Sequence, residues 1–362
     1  MIIGVDAGAL SITDDRLKVG VYRVTLHLLR ELARMDMKNT YRLYSFSPID
    51  RGVISELGDR MTNVVITPAR GWFTVRLPIE LTIHPVDVFL GVSQAIPRST
   101  SHNIGFIYDL GFLFNPDAYG NAAQKLKTQT QSLVERADSI VTISNTSKKD
   151  ILREYTVDQS KVTVAYPGVD SLFSPIGVAF QSTNPYVLFV GSLNKAKDLS
   201  LAIRAFSLAM KRVKKPYDFL LVGGDYWPDS RIDKTIQELG LERRVKKIGL
   251  ISDSELPKYY RGATALFTTP LHEGFCLPAV ESMACGTPVI SVDRGAMKEI
   301  VGGGGLVSRN AQEVDIANTL YQFLSDDALQ KKIRVRAIER SRKFRWKTFA
   351  SQIYNLLAYY EH

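Results

Sequence analysis

Twice along this chain of 362 residues, short runs rich in β-branched and aromatic residues alternate with helix-length amphipathic segments. Such alternation calls for α/β layers around parallel sheets. The first series opens with "MIIGVDAG" and passes through a loop to "GVYRVTLHLLRELARM", where Val21, Leu28, Leu29 and Leu32 recur at helical spacing. Further strands are expected at "TYRLYSF", "NVVIT", "VDVFLGV", "NIGFIYD", "ADSIVTIS" and "KVTVAYPG". The second series restarts with "PYVLFVGSL" and the helix "DLSLAIRAFSLAMKRV", followed by "YDFLLVGG", "VKKIGLIS", "ATALFTTP" and "TPVISVD". Between them Gly168 to Pro185 has no sustained period, and its glycine, serine and proline content suits a linker. The expected organisation is a Rossmann-like domain over 1–168, a linker over 169–185 and a second Rossmann-like domain over 186–347. The amphipathic segment 348–362 has no place in the second alternation and is expected to cross back to the first domain. Both domains would face each other, with strand C-termini lining a deep interdomain cleft.

Two cores fit this length. No apolar run approaches the roughly 18 residues of a membrane span, and "MIIGVDAGAL" carries no basic leader, so a cytoplasmic protein is expected. The two cysteines, Cys276 and Cys285, lack metal-ligand spacing and read as reduced packing residues. The net charge of +9 is uneven: residues 1–170 hold 19 Lys/Arg against 18 Asp/Glu, and the remainder 27 against 19. Much of the excess lies in "KKIRVRAIERSRKFRWK", Lys331 to Lys347, which reads as a solvated helix face or as a surface for phosphates, an anionic membrane or nucleic acid.

The stretch "TTPLHEGFCLPAVESMACGTPVISVD", Thr268 to Asp293, sets Glu273 and Glu281 eight positions apart around a turn. Pro278 suits a first helical position and Gly286 a helix stop, so "PAVESMAC" reads as a short helix after a strand. Its N-terminus would favour an anionic group such as a diphosphate, and Gly274 would let backbone approach a ligand. Glu281, about one turn in, could accept hydrogen bonds from the vicinal hydroxyls of a ribose, and Glu273 from those of a sugar. Spacing alone favours the plainer reading, two surface carboxylates around a packed turn.

The residues "EGFCLPAVESMACGTPVI" closely resemble the E-x7-E signature of the retaining GT-B glycosyltransferases of family four. The resemblance extends through "ISDSELPKYYRGATALFTTPLHEGF", "YVLFVGSLNKAKDLSLAIRAF" and "SRKFRWKTFASQIYNLLAYY", and more loosely through "KVGVYRVTLHLLRELAR", "IYDLGFLFNPDAY" and "ADSIVTISNTSKKDILREY". It implies the GT-B fold, with Glu281 on the nucleotide ribose and Glu273 on the hydroxyls of the donor sugar. Backbone around Gly274, Phe275, Cys276 and Leu277 would hold sugar and phosphate, with Cys276 standing where glycine is common. Lys197 matches the lysine that neutralises the donor diphosphate, aided by the neighbouring Gly191 and Ser192. The arginine usual before it is Ala196 here, so that either Lys195 or an arginine from elsewhere would replace it. Gly20 matches one glycine of an N-terminal loop that approaches the diphosphate, Lys18 replacing the other. Tyr108 stands where the family has histidine, beside Asp109 as a candidate acceptor contact, and a tyrosine cannot change charge near neutral pH as an imidazole can. Gly249, Leu250 and Ile251 match the nucleobase segment. Ser252 and Asp253 read as a helix cap, and Asp253 also tilts the donor towards guanine.

No D-x-D triplet occurs, and the resemblance implies a metal-free site that needs no cofactor besides the nucleotide-sugar substrate, GDP- or UDP-linked. The expected reaction is hexose transfer with retention, best read as mannose from GDP-mannose, onto a saccharide or lipid-linked acceptor, with peripheral contact at the inner face of the membrane. A GT-B phosphorylase or nucleotide-sugar epimerase is the alternative. Nucleic-acid binding through 331–347 lacks a reading module. A dinucleotide dehydrogenase fails because "GVDAGA" departs from G-x-G-x-x-G.

Overall fold

The computed structural model describes residues 1–14, 17–18 and 20–361 and divides them between two compact units. The first unit comprises Met1–Leu113, Asn121–Pro167 and Trp346–His362, and the second Phe114–Gly120 and Gly168–Arg345.

In the first unit the strands β1 (Ile2–Asp6), β2 (Thr40–Ser45), β3 (Met61–Val65), β4 (Val88–Gly91), β5 (His102–Ile107), β6 (Ser139–Thr142) and β7 (Val162–Val164) form one parallel sheet. Their order is β3-β2-β1-β4-β5-β6-β7. Strand β4 is buried at every position, as a strand covered by helices on both faces must be. Helix Gly20–Met35 buries Leu28, Leu29 and Leu32 and packs against the terminal helix Trp346–Tyr359, where His27 and Trp346 stack at 4.5 Å.

The second unit contains β8 (Tyr186–Val190), β9 (Asp218–Val222), β10 (Val245–Gly249), β11 (Ala265–Phe267), β12 (Val289–Val292) and β13 (Gly305–Ser308), parallel and ordered β10-β9-β8-β11-β12-β13. Phe219 packs between Phe206 and Phe267 at ring separations of 5.4 and 5.5 Å, at the centre of its core. Strand β13 escapes the sequence reading: "GLVS" follows a glycine run and is too short to show a period, and its strand character comes from pairing with β12. Among the described residues no helix is long and apolar enough to cross a membrane.

In each sheet the chain reverses its winding direction once, between β1 and β4 in the first and between β8 and β11 in the second. Loops leaving the two central strands there diverge to opposite faces and open a crevice at the strand C-termini, where ligands of such sheets bind.

Candidate functional site

Three loops at the C-terminal edge of the second sheet meet at its switch point. After β8 the chain makes a 3-10 turn, Lys195–Lys197, and enters helix Leu199–Met210 through Asp198, a residue with φ of 48°. After β11, residues 268–276 run to helix Leu277–Ala284, and after β12 residues 293–296 return towards them. Main-chain bonds tie the three together: Leu271 N donates to Ala196 O at 2.9 Å, and Ala296 N to Glu273 O at 2.7 Å. Gly295 sits at φ 58° with its α-carbon so close that an added Cβ would lie 2.3 Å from Glu273 O. No other residue fits there.

This scaffold brings Lys197 and Glu273 into an ion pair, their side chains 27% and 14% exposed. Eight residues on, Glu281 is buried inside helix Leu277–Ala284 and accepts a hydrogen bond of 2.9 Å from the Tyr260 hydroxyl. Burial of that carboxylate beside a buried tyrosine is costly unless its acceptors are used. The first amides of the helix have no intrahelical acceptor and carry its positive dipole end. Phe275 turns into the core and meets Phe344 edge-on at 5.3 Å, so only its backbone is available to a ligand.

Cys276 occupies the left-handed region, φ 71°, as the residue before the helix. Glycine is the default at such a position because it has no Cβ to clash, which gives the substitution noted in the sequence its physical meaning. Both cysteines are free thiols. The Cys276 thiol is pushed up to about 12, chiefly by burial and then by Glu273, so it is a packing group and no nucleophile at neutral pH.

Gly191, Ser192 and Lys195 lie on the same β8 loop, with Lys195 exposed. Gly191 is at φ 147°, and its carbonyl lies where a Cβ on Gly223 would be, at 1.9 Å. Ile251 is half-buried and Asp253 exposed just beyond β10. The expected side-chain cap by Ser252 or Asp253 is not formed: the N-cap of helix Leu256–Gly262 is Glu255, without a side-chain bond, and the turn is closed by the Ser252 carbonyl accepting from Glu255 N and Leu256 N at 3.0 Å.

In the first unit, Gly20 is the exposed first residue of its helix, while Arg16 and Val19 of that loop lie outside the described residues. The Tyr108 hydroxyl donates to Val92 O at 2.8 Å and is held above its usual range by burial and then by Asp6. Asp109 accepts from Gly111 N at 2.9 Å. At this sheet's switch point Asp6, buried at the end of β1, accepts from Gly8 N and from Ser93 N, both at 3.2 Å. Burial pushes it up to about 6 against those hydrogen bonds. Gln94 next to Ser93 holds φ 57°, a conformation that non-glycine residues rarely adopt.

The structure thus brings the expected Lys197 and Glu273 together with Glu281 on the helix that follows, and adds Asp198, Tyr260 and the first unit's Asp6, which no local pattern marks. Among the described residues no group of three or more His, Cys, Asp or Glu is arranged to hold a metal.

The family model for glycosyl transferases group 1 matches residues 175–344, the second unit almost from end to end. This unit is a glycosyl transferases group 1 domain. The chain is 24% identical over 281 residues to O-antigen chain mannosyltransferase B of Escherichia coli, covering 74% of this chain and 73% of that one. Other curated relatives of this group are matched over little more than half of their own length, such as 58% and 52%. Among solved structures, sucrose-phosphate synthase of Thermosynechococcus elongatus superposes with a TM-score of 0.79 at 20% identity, over 99% of this chain and 98% of that one. Anabaena HepE in complex with UDP-glucose does so with a TM-score of 0.73 at 18% identity, over 99% of each. The fold class is GT-B, two Rossmann-like units on one chain.

Proposed function

We propose that the protein is a retaining glycosyltransferase that moves mannose from GDP-mannose to a hydroxyl of a saccharide or lipid-linked acceptor. The observation that carries this reading is the Lys197–Glu273 pair, set against a helix N-terminus with Glu281 one turn inside it. Glu281, kept in place by Tyr260, receives the ribose hydroxyls; the helix amides and Lys197 meet the diphosphate; Glu273 accepts from hydroxyls of the sugar. As the C1–O bond to phosphate breaks, charge grows on the leaving diphosphate, and fixed donors there lower the barrier most. The acceptor oxygen attacks from the face the phosphate leaves, and its proton passes to the departing phosphate oxygen, so no protein nucleophile takes part. Lys197 and the helix end do the work a divalent cation does elsewhere, which makes the reaction metal-independent.

Mannose is supported by the Escherichia coli relative's name, and guanine by Asp253 beyond β10. UDP-glucose in the HepE structure makes uracil the competing base. The protein works in the cytoplasm, and the exposed Lys331, Lys332, Arg334 and Arg336 suit contact with an anionic inner membrane face.

Thermal stabilisation by GDP, UDP, ADP and CMP, with and without EDTA, tests this. At a hundredfold excess over Kd, one nucleoside diphosphate is expected to stabilise the domain by about 2.7 kcal/mol. The shift should survive EDTA and vanish in Glu281→Ala. No shift with any nucleotide would sink the donor reading.

A further inference from the structure

The donor pocket lacks a charge at Ala196, where the resemblance calls for arginine, and the neighbouring cations differ in how far they are spent. Asp229 is gripped by Arg231, whose Nε lies 2.8 Å from Oδ1 and Nη2 2.6 Å from Oδ2. Lys195 is exposed, and its field falls on the same Asp229. Lys197 is paired with Glu273. Arg294 is different. It reaches from the loop after β12 to Asp198, Nη1 to Oδ2 at 3.1 Å, and the same Nη1 lies 3.4 Å from Pro270 O. Its Nε and Nη2 make no hydrogen bond among the described residues, and the side chain is 24% exposed. The guanidinium is thus fastened by one nitrogen with the rest of its fork unspent.

Its position is fixed from behind. Gly295 and Ala296, the next two residues, are locked against Glu273 O, which anchors the backbone of Arg294 beside the loop that carries Glu273. Asp198, which follows Lys197 directly, also feels Arg231, so its charge is balanced twice over. Around the 195–198 turn Lys195, Lys197, Arg231 and Arg294 are interleaved with Asp198, Asp229 and Glu273. The unspent nitrogens of a planar, permanently charged fork match a phosphate group.

We propose that Arg294 is the second diphosphate-binding cation of this domain, supplying from the β12 loop the charge that Ala196 does not. The proposal rests on the donor reading above. Arginine at 196 and arginine at 294 would reach the same anion from adjacent loops, since Ala196 O is bonded to Leu271 N and Arg294 to Pro270 O. The pocket then needs one of the two.

Calorimetric titration of the full chain with GDP, UDP, GMP and UMP tests this. Arg294→Gln, which keeps hydrogen-bond donors for Asp198 and Pro270 but not the charge, should weaken the preferred diphosphate at least roughly tenfold. Monophosphate affinity should change little. Adding Ala196→Arg to that variant should restore most of the loss, a rescue that a purely structural role of Arg294 would not allow. Unchanged diphosphate affinity in Arg294→Gln, with loss in Lys197→Ala, would overturn the proposal and leave the donor reading intact. Equal weakening of mono- and diphosphates, without rescue, would overturn it too, making Arg294 a brace for the loop. Failure of wild-type protein to bind any of the four nucleotides would overturn both.

Discussion

Asp6 closes the switch point of the first sheet as a buried carboxyl whose protein partners are amides and the Ser93 side chain. Burial outweighs those hydrogen bonds and raises it to about 6. The sign of the consequence follows from linkage. Below about pH 4 the group is protonated folded or unfolded, and it adds no pH dependence. Between about pH 4 and 6 the unfolded chain releases the proton while the folded chain keeps it, so stability falls as pH rises, and above about 6 the loss is complete. Over this window Asp6 should cost roughly 3 kcal/mol. Denaturant unfolding of wild type and Asp6→Asn from pH 4 to 7 checks it: the difference should grow to about pH 6 and then level off, and a flat difference would mean that Asp6 is ionised throughout. The sequence shows Asp6 as an acid at the end of a strand but not its burial. Glu273 and Glu281, by contrast, are legible because a turn and a helix fix their separation within one local stretch. Tyr260 is not legible, lying on another helix 21 residues from Glu281.

The turn after β12 decides where Glu273 points. Its backbone passes so close to Glu273 that Gly295 has no space for a side chain, and its φ of 58° disfavours one in any case. Gly295→Ala is expected to destabilise by about 2 to 4 kcal/mol through combined clash and strain. It should also weaken nucleotide-sugar binding, because relief of the clash must move either the turn or Glu273. Urea denaturation alongside donor titration would show both, and loss of stability without loss of donor affinity would show that the turn yields by itself. At this scale strands and helices with several periodic residues were readable. Neither β13, defined by its neighbour, nor helices such as Asn121–Arg136 and Glu313–Leu324 stood out in the sequence, and the helix at Leu256 is closed by a carbonyl where side chains were expected.

Over the whole chain the two units carry separate cores, yet they are not separate in sequence. The terminal helix Trp346–Tyr359 belongs to the first unit and buries Phe349, Ile353 and Leu357 there. Phe349 is fully buried, so Phe349→Ala should cost the first unit about 3 to 5 kcal/mol. Stabilisation of the second unit by nucleotide should persist in that variant, which thermal unfolding with and without the preferred diphosphate can follow. Abolished stabilisation would mean that nucleotide binding depends on the first unit's integrity.

What the sequence by itself determined is the class of fold, two α/β alternations around parallel sheets, and one local signature that spaces Glu273 and Glu281 around a turn and a helix start. Those are properties of spacing within some ten to thirty residues, and periodicity and turn chemistry act over that range. The order of strands, and everything that order brings together, was decided by the tertiary structure alone. Arg294 meets Asp198 across 96 residues only because β8, β11 and β12 lie side by side. Asp6 meets Ser93 because β4 pairs with β1. Partners so far apart leave no periodic trace in the chain, since what selects them is burial and charge in the packed sheet, quantities that do not exist until it forms.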